Sequence, residues 1–110
     1  MTAIYLRTDS TAEVVEIGGL KDMQKAVGGY FETARLDDPF RLIVNEEGAI
    51  NGLKVNVKAT RLYGWSPIFG DVLIMKSGEN EDGEPDIIGL DEKDIAYFRS
   101  EFTGVKWREK

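Results

Sequence analysis

The chain has 110 residues, 42% of them hydrophobic, and a formal net charge of −6 from 20 acidic against 14 basic side chains. That length and apolar content fit one folded domain, burying roughly 60–70% of the surface of the unfolded chain, and exclude a disordered one. With neither cysteine nor histidine, disulfides, thiolate metal sites and histidine-based catalysis are excluded, and the acidic balance repels a phosphate backbone.

The first seven residues lack the basic start and long apolar run of a signal peptide. No stretch approaches the roughly 20 apolar residues of a membrane helix. A cytoplasmic location is therefore expected. Residues 3–7 and 13–17 read as two short strands flanking the turn formers Thr8-Asp9-Ser10-Thr11, a β-hairpin. Leu20, Met23, Gln24 and Val27 lie at helical spacing, and Gly28-Gly29 supplies the stop. Residues 30–36 and 40–44 read as strands, joined through Asp37-Asp38-Pro39, and Asn45-Glu46-Glu47-Gly48 makes the following turn.

Residues 56–62 fit a short helix better than a strand. Val72-Leu73-Ile74-Met75 is continuous apolar sequence within 70–76 and predicts a strand buried on both faces. Residues 77–86 read as an acidic loop. Asp91 reads as the N-cap of a last helix ending near Phe102, with Ile95, Phe98 and Phe102 as its apolar stripe. The expected architecture is α+β, a small and mostly antiparallel sheet with two or three short helices. One domain is expected over residues 1–103, with 104–110 as a mobile tail. Tyr5, Phe31, Phe40, Trp65 and Phe69 are core candidates.

Four segments carry chemistry worth weighing. Gly18-Gly19 precedes a helix but matches neither GxGxxG nor GxxxxGK[ST], so a plain strand-to-helix turn is preferred. The segment 78–86 carries Glu79, Glu81, Asp82, Glu84 and Asp86. Setting Gly83 as the glycine of an EF-hand loop places Gly78 and Gly89 where liganding side chains belong, so the calcium template fails. A solvated loop or a partner site remains. Asn45-Glu46-Glu47, with Asn51, Asn56 and Arg61, is an exposed turn or the lining of a shallow pocket. Tyr63, Trp65 and Phe69 surround Gly64 and Pro67 and form either core or a contact surface.

Val27-Gly28-Gly29-Tyr30-Phe31-Glu32, Val44-Asn45-Glu46-Glu47-Gly48 and Gly52-Leu53-Lys54-Val55-Asn56 resemble a family of small phage, plasmid and bacterial domains of unknown function. That family carries a VGGY(I/F)E … VNEEG … GLxxN signature, and its likeness extends to Ile68-Phe69-Gly70-Asp71-Val72. The aromatic stretch 62–67 has no usual counterpart there. The resemblance implies a mobile-element setting in a host cell and transfers no activity.

The leading expectation is a non-enzymatic accessory protein that binds and inhibits a host or defence protein. A partner with a basic surface, such as a nucleic-acid-binding nuclease, fits the charge. Tyr63, Trp65, Phe69, Glu79, Glu81, Asp82, Glu84 and Asp86 are its candidate contact residues. The alternative is a small-ligand or nucleotide-sequestering module using Gly28, Gly29, Tyr30, Asn45, Glu46, Glu47 and Asn56. A carboxylate- or magnesium-dependent enzyme stands third. No catalytic, cofactor-binding or metal-ligating residue is assigned, and direct nucleic-acid or membrane partners are not expected.

Overall fold

Alternation within the strands decides the architecture. The computed structural model, which describes residues 1–109, has the order β1 (Thr2–Leu6), β2 (Thr11–Glu16), α1 (Leu20–Val27), β3 (Phe31–Arg35), β4 (Phe40–Asn45), α2 (Val57–Tyr63), β5 (Val72–Glu79), β6 (Pro85–Ile88), α3 (Glu92–Glu101) and β7 (Lys106–Arg108). Among the described residues the strands form one seven-stranded sheet, ordered β3-β4-β5-β1-β2-β7, with β6 also paired to β5. All its pairings are antiparallel except β2 with β7. The fold is thus α+β.

Even-numbered residues of the central strands (Ile4, Leu6, Leu42, Val44, Val72, Ile74) form one core cluster with Ala59 of α2 and Phe98 of α3. Odd-numbered ones (Ala3, Ile43, Leu73, Met75) form a second with Met23 and Val27 of α1. The continuous run Val72–Met75 is wholly buried because helices cover both sides of β5. α1 closes as its glycines require: Gly28 is left-handed at φ 82°, and Gly28 and Gly29 both donate to the Gln24 carbonyl.

Three expectations change. The acidic loop over residues 77–86 shortens to a hairpin turn, because β5 continues to Glu79 and β6 begins at Pro85. Asn80 organises that turn, its Oδ1 accepting from the amides of Asp82 at 2.9 Å and Glu84 at 3.1 Å. The segment expected as a mobile tail contains β7, paired with β2. Trp107 stacks on Phe102 at 5.8 Å, and the Arg99 guanidinium lies 4.5 Å from the indole. Finally, Trp65 is no core residue: it is 85% exposed.

Candidate functional site

β3 is the outermost strand on its side of the sheet. The Glu46 amide donates to Tyr30 O at 3.1 Å, and the Leu36 amide to Phe40 O at 3.2 Å. Both pairs share the register that sets Phe31 opposite Asn45 and Arg35 opposite Arg41. Hydrogen-bonded pairs alternate in an antiparallel ladder, so Glu32 and Ala34 bond to β4. The amides and carbonyls of Phe31, Thr33 and Arg35 consequently point away from the sheet.

A loop-and-helix unit rises beside this edge. Asn56 caps α2, Gly64 ends it in the left-handed region at φ 80°, and the chain returns so that Val55 pairs with Phe69. The turn after β4 packs on that return. A methyl group on Gly48 would lie 3.0 Å from Phe69 Cβ and 3.1 Å from its carbonyl oxygen, which is why glycine stands there. A cavity of about 420 Å³ remains, lined by Glu32, Ala34, Glu46, Tyr63 and Phe69 among others. Tyr63 also lines a second of about 460 Å³ with Arg35, Leu36 and Trp65. Tyr63 walls both, so the two lie in succession beside β3 and together make up a groove.

Tyr63, Trp65 and Phe69 therefore come together as one surface, with Tyr63 also half-buried against the core. The carboxylates Glu79, Glu81, Asp82, Glu84 and Asp86 are all exposed but contribute nothing to the groove lining. Their hairpin projects from the sheet end where Phe40 pairs with Lys76 and the Ser77 amide reaches Pro39 O, remote from the Asn45 end.

The proposed ligand residues divide. Gly29, Tyr30, Asn45, Glu46 and Glu47 surround a cleft of about 140 Å³, well under the roughly 300 Å³ at which pockets for drug-sized ligands begin. Asn45 Nδ2 donates to Val27 O at 3.0 Å and its Oδ1 accepts from the Glu47 amide at 2.8 Å, so it ties the end of α1 to the turn. Gly28 belongs to the helix stop. Asn56 is fully buried below α2, away from the cleft.

Sequence reading missed the contribution of β3, because an edge is a property of topology. It also missed a polar cluster under the α1 side of the sheet. The Tyr5 hydroxyl donates to Ala26 O at 2.6 Å, and Asp71 Oδ1 accepts from the Thr8 amide at 2.9 Å. Arg7 lies 4.4 Å over the Tyr5 ring and 2.8 Å from Glu13. Burial, reinforced by the Asp71 charge, raises the Tyr5 pKa above the usual phenol value, so the hydroxyl remains a donor tying β1 to α1.

Among the described residues, a sheet with one helix on one face and two on the other, edged by an aromatic groove, defines a small α+β domain. Over residues 1–103 the chain matches the family described as a domain of unknown function (DUF3846), and it belongs to that family. No curated protein and no solved structure matches it. Among the described residues, no helix is long and apolar enough to cross a membrane.

Proposed function

We propose that this chain is a non-enzymatic binding protein, encoded by a phage or other mobile element, that holds and inhibits a host or defence protein through the groove beside β3. The observation that carries the reading is Trp65, which stands 85% exposed at the mouth of a groove already walled by Tyr63 and Leu36. Large exposed aromatics beside concave apolar surface characterise interface hot spots. The net charge of −6 suits a partner with a basic surface.

Capture from bacterial lysate, with wild type and Trp65→Ala as parallel baits, tests it. Wild type is expected to retain a discrete protein whose own activity falls on binding. Trp65→Ala should weaken that capture roughly thirty-fold, the scale of a hot-spot truncation. Equal capture by both baits, or a captured protein whose activity is unaffected, overturns the proposal.

A further inference from the structure

We infer that the groove takes an extended, basic segment of the partner, which adds to the sheet as a strand beside β3 and lays a Lys or Arg side chain over Glu32 and Glu46. This inference rests on the binding reading above and specifies its mode. Its first support is the free edge: the outward amides and carbonyls of Phe31, Thr33 and Arg35 form the donor–acceptor row that an added strand requires.

The second support is that this edge lacks most of the usual guards. Sheet edges are commonly blunted by proline, lysine, a bulge or extreme shortness. β3 is five residues long, contains no proline, glycine or lysine, and pairs with β4 in unbroken register, its charges being one Glu32 and one Arg35. The opposite edge, β7, is only three residues and carries Lys106 and Arg108. One edge of this sheet is protected and the other is open.

Charge selects the occupant. Glu32 and Glu46 occupy diagonal positions across the β3–β4 ladder, where side chains on one face come within roughly 7–8 Å. Both line the 420 Å³ part of the groove, and no lysine or arginine lines it with them. The adjoining cleft adds Glu47, again without a cation. Tyr63 and Phe69 line the same cavity, and aromatic rings beside carboxylates favour a cation. Farther along β3, Leu36 and Trp65 supply apolar surface beside Arg35, whose guanidinium lies 4.0 Å from the Asp38 carboxylate. Glu32 and Leu36 stand four residues apart, about 13 Å along an extended chain, so the fitting segment carries a basic residue and, four residues away on the same face, an apolar one. A second copy of this chain brings its own −6 to the same edge and fits less well.

The test pans a random twelve-residue peptide library displayed on phage against wild type, Thr33→Pro and the charge-reversed Glu32→Lys/Glu46→Lys protein. Proline at 33 removes one outward amide and no ladder bond, so the sheet tolerates it as it tolerates edge prolines generally. Wild type should enrich peptides with a Lys or Arg four positions from an apolar residue. Affinity for Thr33→Pro should fall at least tenfold, and the charge-reversed protein should prefer acidic peptides. Because a variant can misfold, amide exchange on wild type gives a separate readout: the enriched peptide should slow exchange at Phe31, Thr33 and Arg35 together.

Failure to enrich peptides with that basic–apolar spacing, unchanged exchange at those three amides, or a dimer in sedimentation that Thr33→Pro dissolves overturns the inference. A lysate partner lost with Trp65→Ala but retained by folded Thr33→Pro overturns strand addition alone and leaves the binding reading standing.

Discussion

Asn56 has no solvent contact and uses its amide in three directions. Nδ2 donates to Leu6 O and Gly70 O, both at 3.0 Å, and Oδ1 accepts from the Ala59 amide at 3.1 Å as the N-cap of α2. One side chain thereby joins β1, the approach to β5 and the helix that presents Tyr63. Loss of a cap costs about 1 kcal/mol, and each buried carbonyl left without a donor costs about 1 more. Asn56→Ala should therefore destabilise by about 3 kcal/mol, a fall in Tm of roughly 12–24 °C for a domain of this size. Asn56→Asp keeps the cap but sets a carboxylate against two carbonyl oxygens. It should be destabilised at neutral pH and partly recovered in acid, where a protonated carboxyl donates to one of them. Thermal melts at pH 7 and pH 4 check both; a loss below about 1 kcal/mol for Asn56→Ala contradicts this account of the residue. The sequence shows the asparagine within Gly-Leu-Lys-Val-Asn but not its burial, because two of its partners lie 50 and 14 residues away.

Among the elements, the local signals were the readable ones. α1 follows from four apolar-face positions and two glycines, and α3 from an aspartate before an acidic first turn. Asp91 and Asp94 form a reciprocal capping box, and Lys76 reaches Asp94 at 2.7 Å and Asp91 at 3.4 Å, fastening α3 to β5. The Asp94 amide, followed by the Lys76 charge, lowers the Asp91 pKa below the ordinary carboxylate value. A carboxyl depressed in the folded state stabilises above its unfolded pKa of roughly 3.9, and that contribution is lost as pH falls through the lower folded value. Asp91→Asn retains a cap acceptor but does not titrate. Wild type should melt above Asp91→Asn at pH 7, and the gap should close as the pH falls below the ordinary carboxylate range, as calorimetry down an acid series will read. A constant gap means the carboxylate charge contributes nothing. By contrast, β7 and the outer position of β3 were illegible. A three-residue strand has too little alternation to announce itself, and strand order depends on pairings between distant segments. The groove was half-legible for the same reason: Tyr63, Trp65 and Phe69 stand together in sequence, whereas Glu32, Arg35 and Leu36 join them only through the sheet.

For the whole molecule, the acidic hairpin lies outside the groove lining, which gives charge and contact separable kinetic roles. The five carboxylates from Glu79 to Asp86 are exposed at one end of the sheet and line no part of the groove. Exposed charges outside an interface act on diffusional encounter, whereas desolvated anchors act on dissociation. Replacing Glu79, Glu81, Asp82, Glu84 and Asp86 with lysine changes the net charge from −6 to +4. Association with a basic partner should then slow by about tenfold or more at low salt, within the range that steering commands. The difference should shrink as the Debye length contracts from about 10 Å at 0.1 M salt to about 3 Å at 1 M. The dissociation rate should stay within about twofold of wild type, while Trp65→Ala should show the reverse pattern, faster dissociation with little change in association. Surface plasmon resonance over a salt series separates the two. If the lysine variant instead dissociates faster, the hairpin itself touches the partner, and the interface extends along the sheet end from Leu36 to Asp86. If its association is unchanged, the hairpin is a solvated turn and the partner is steered by the carboxylates of the groove alone.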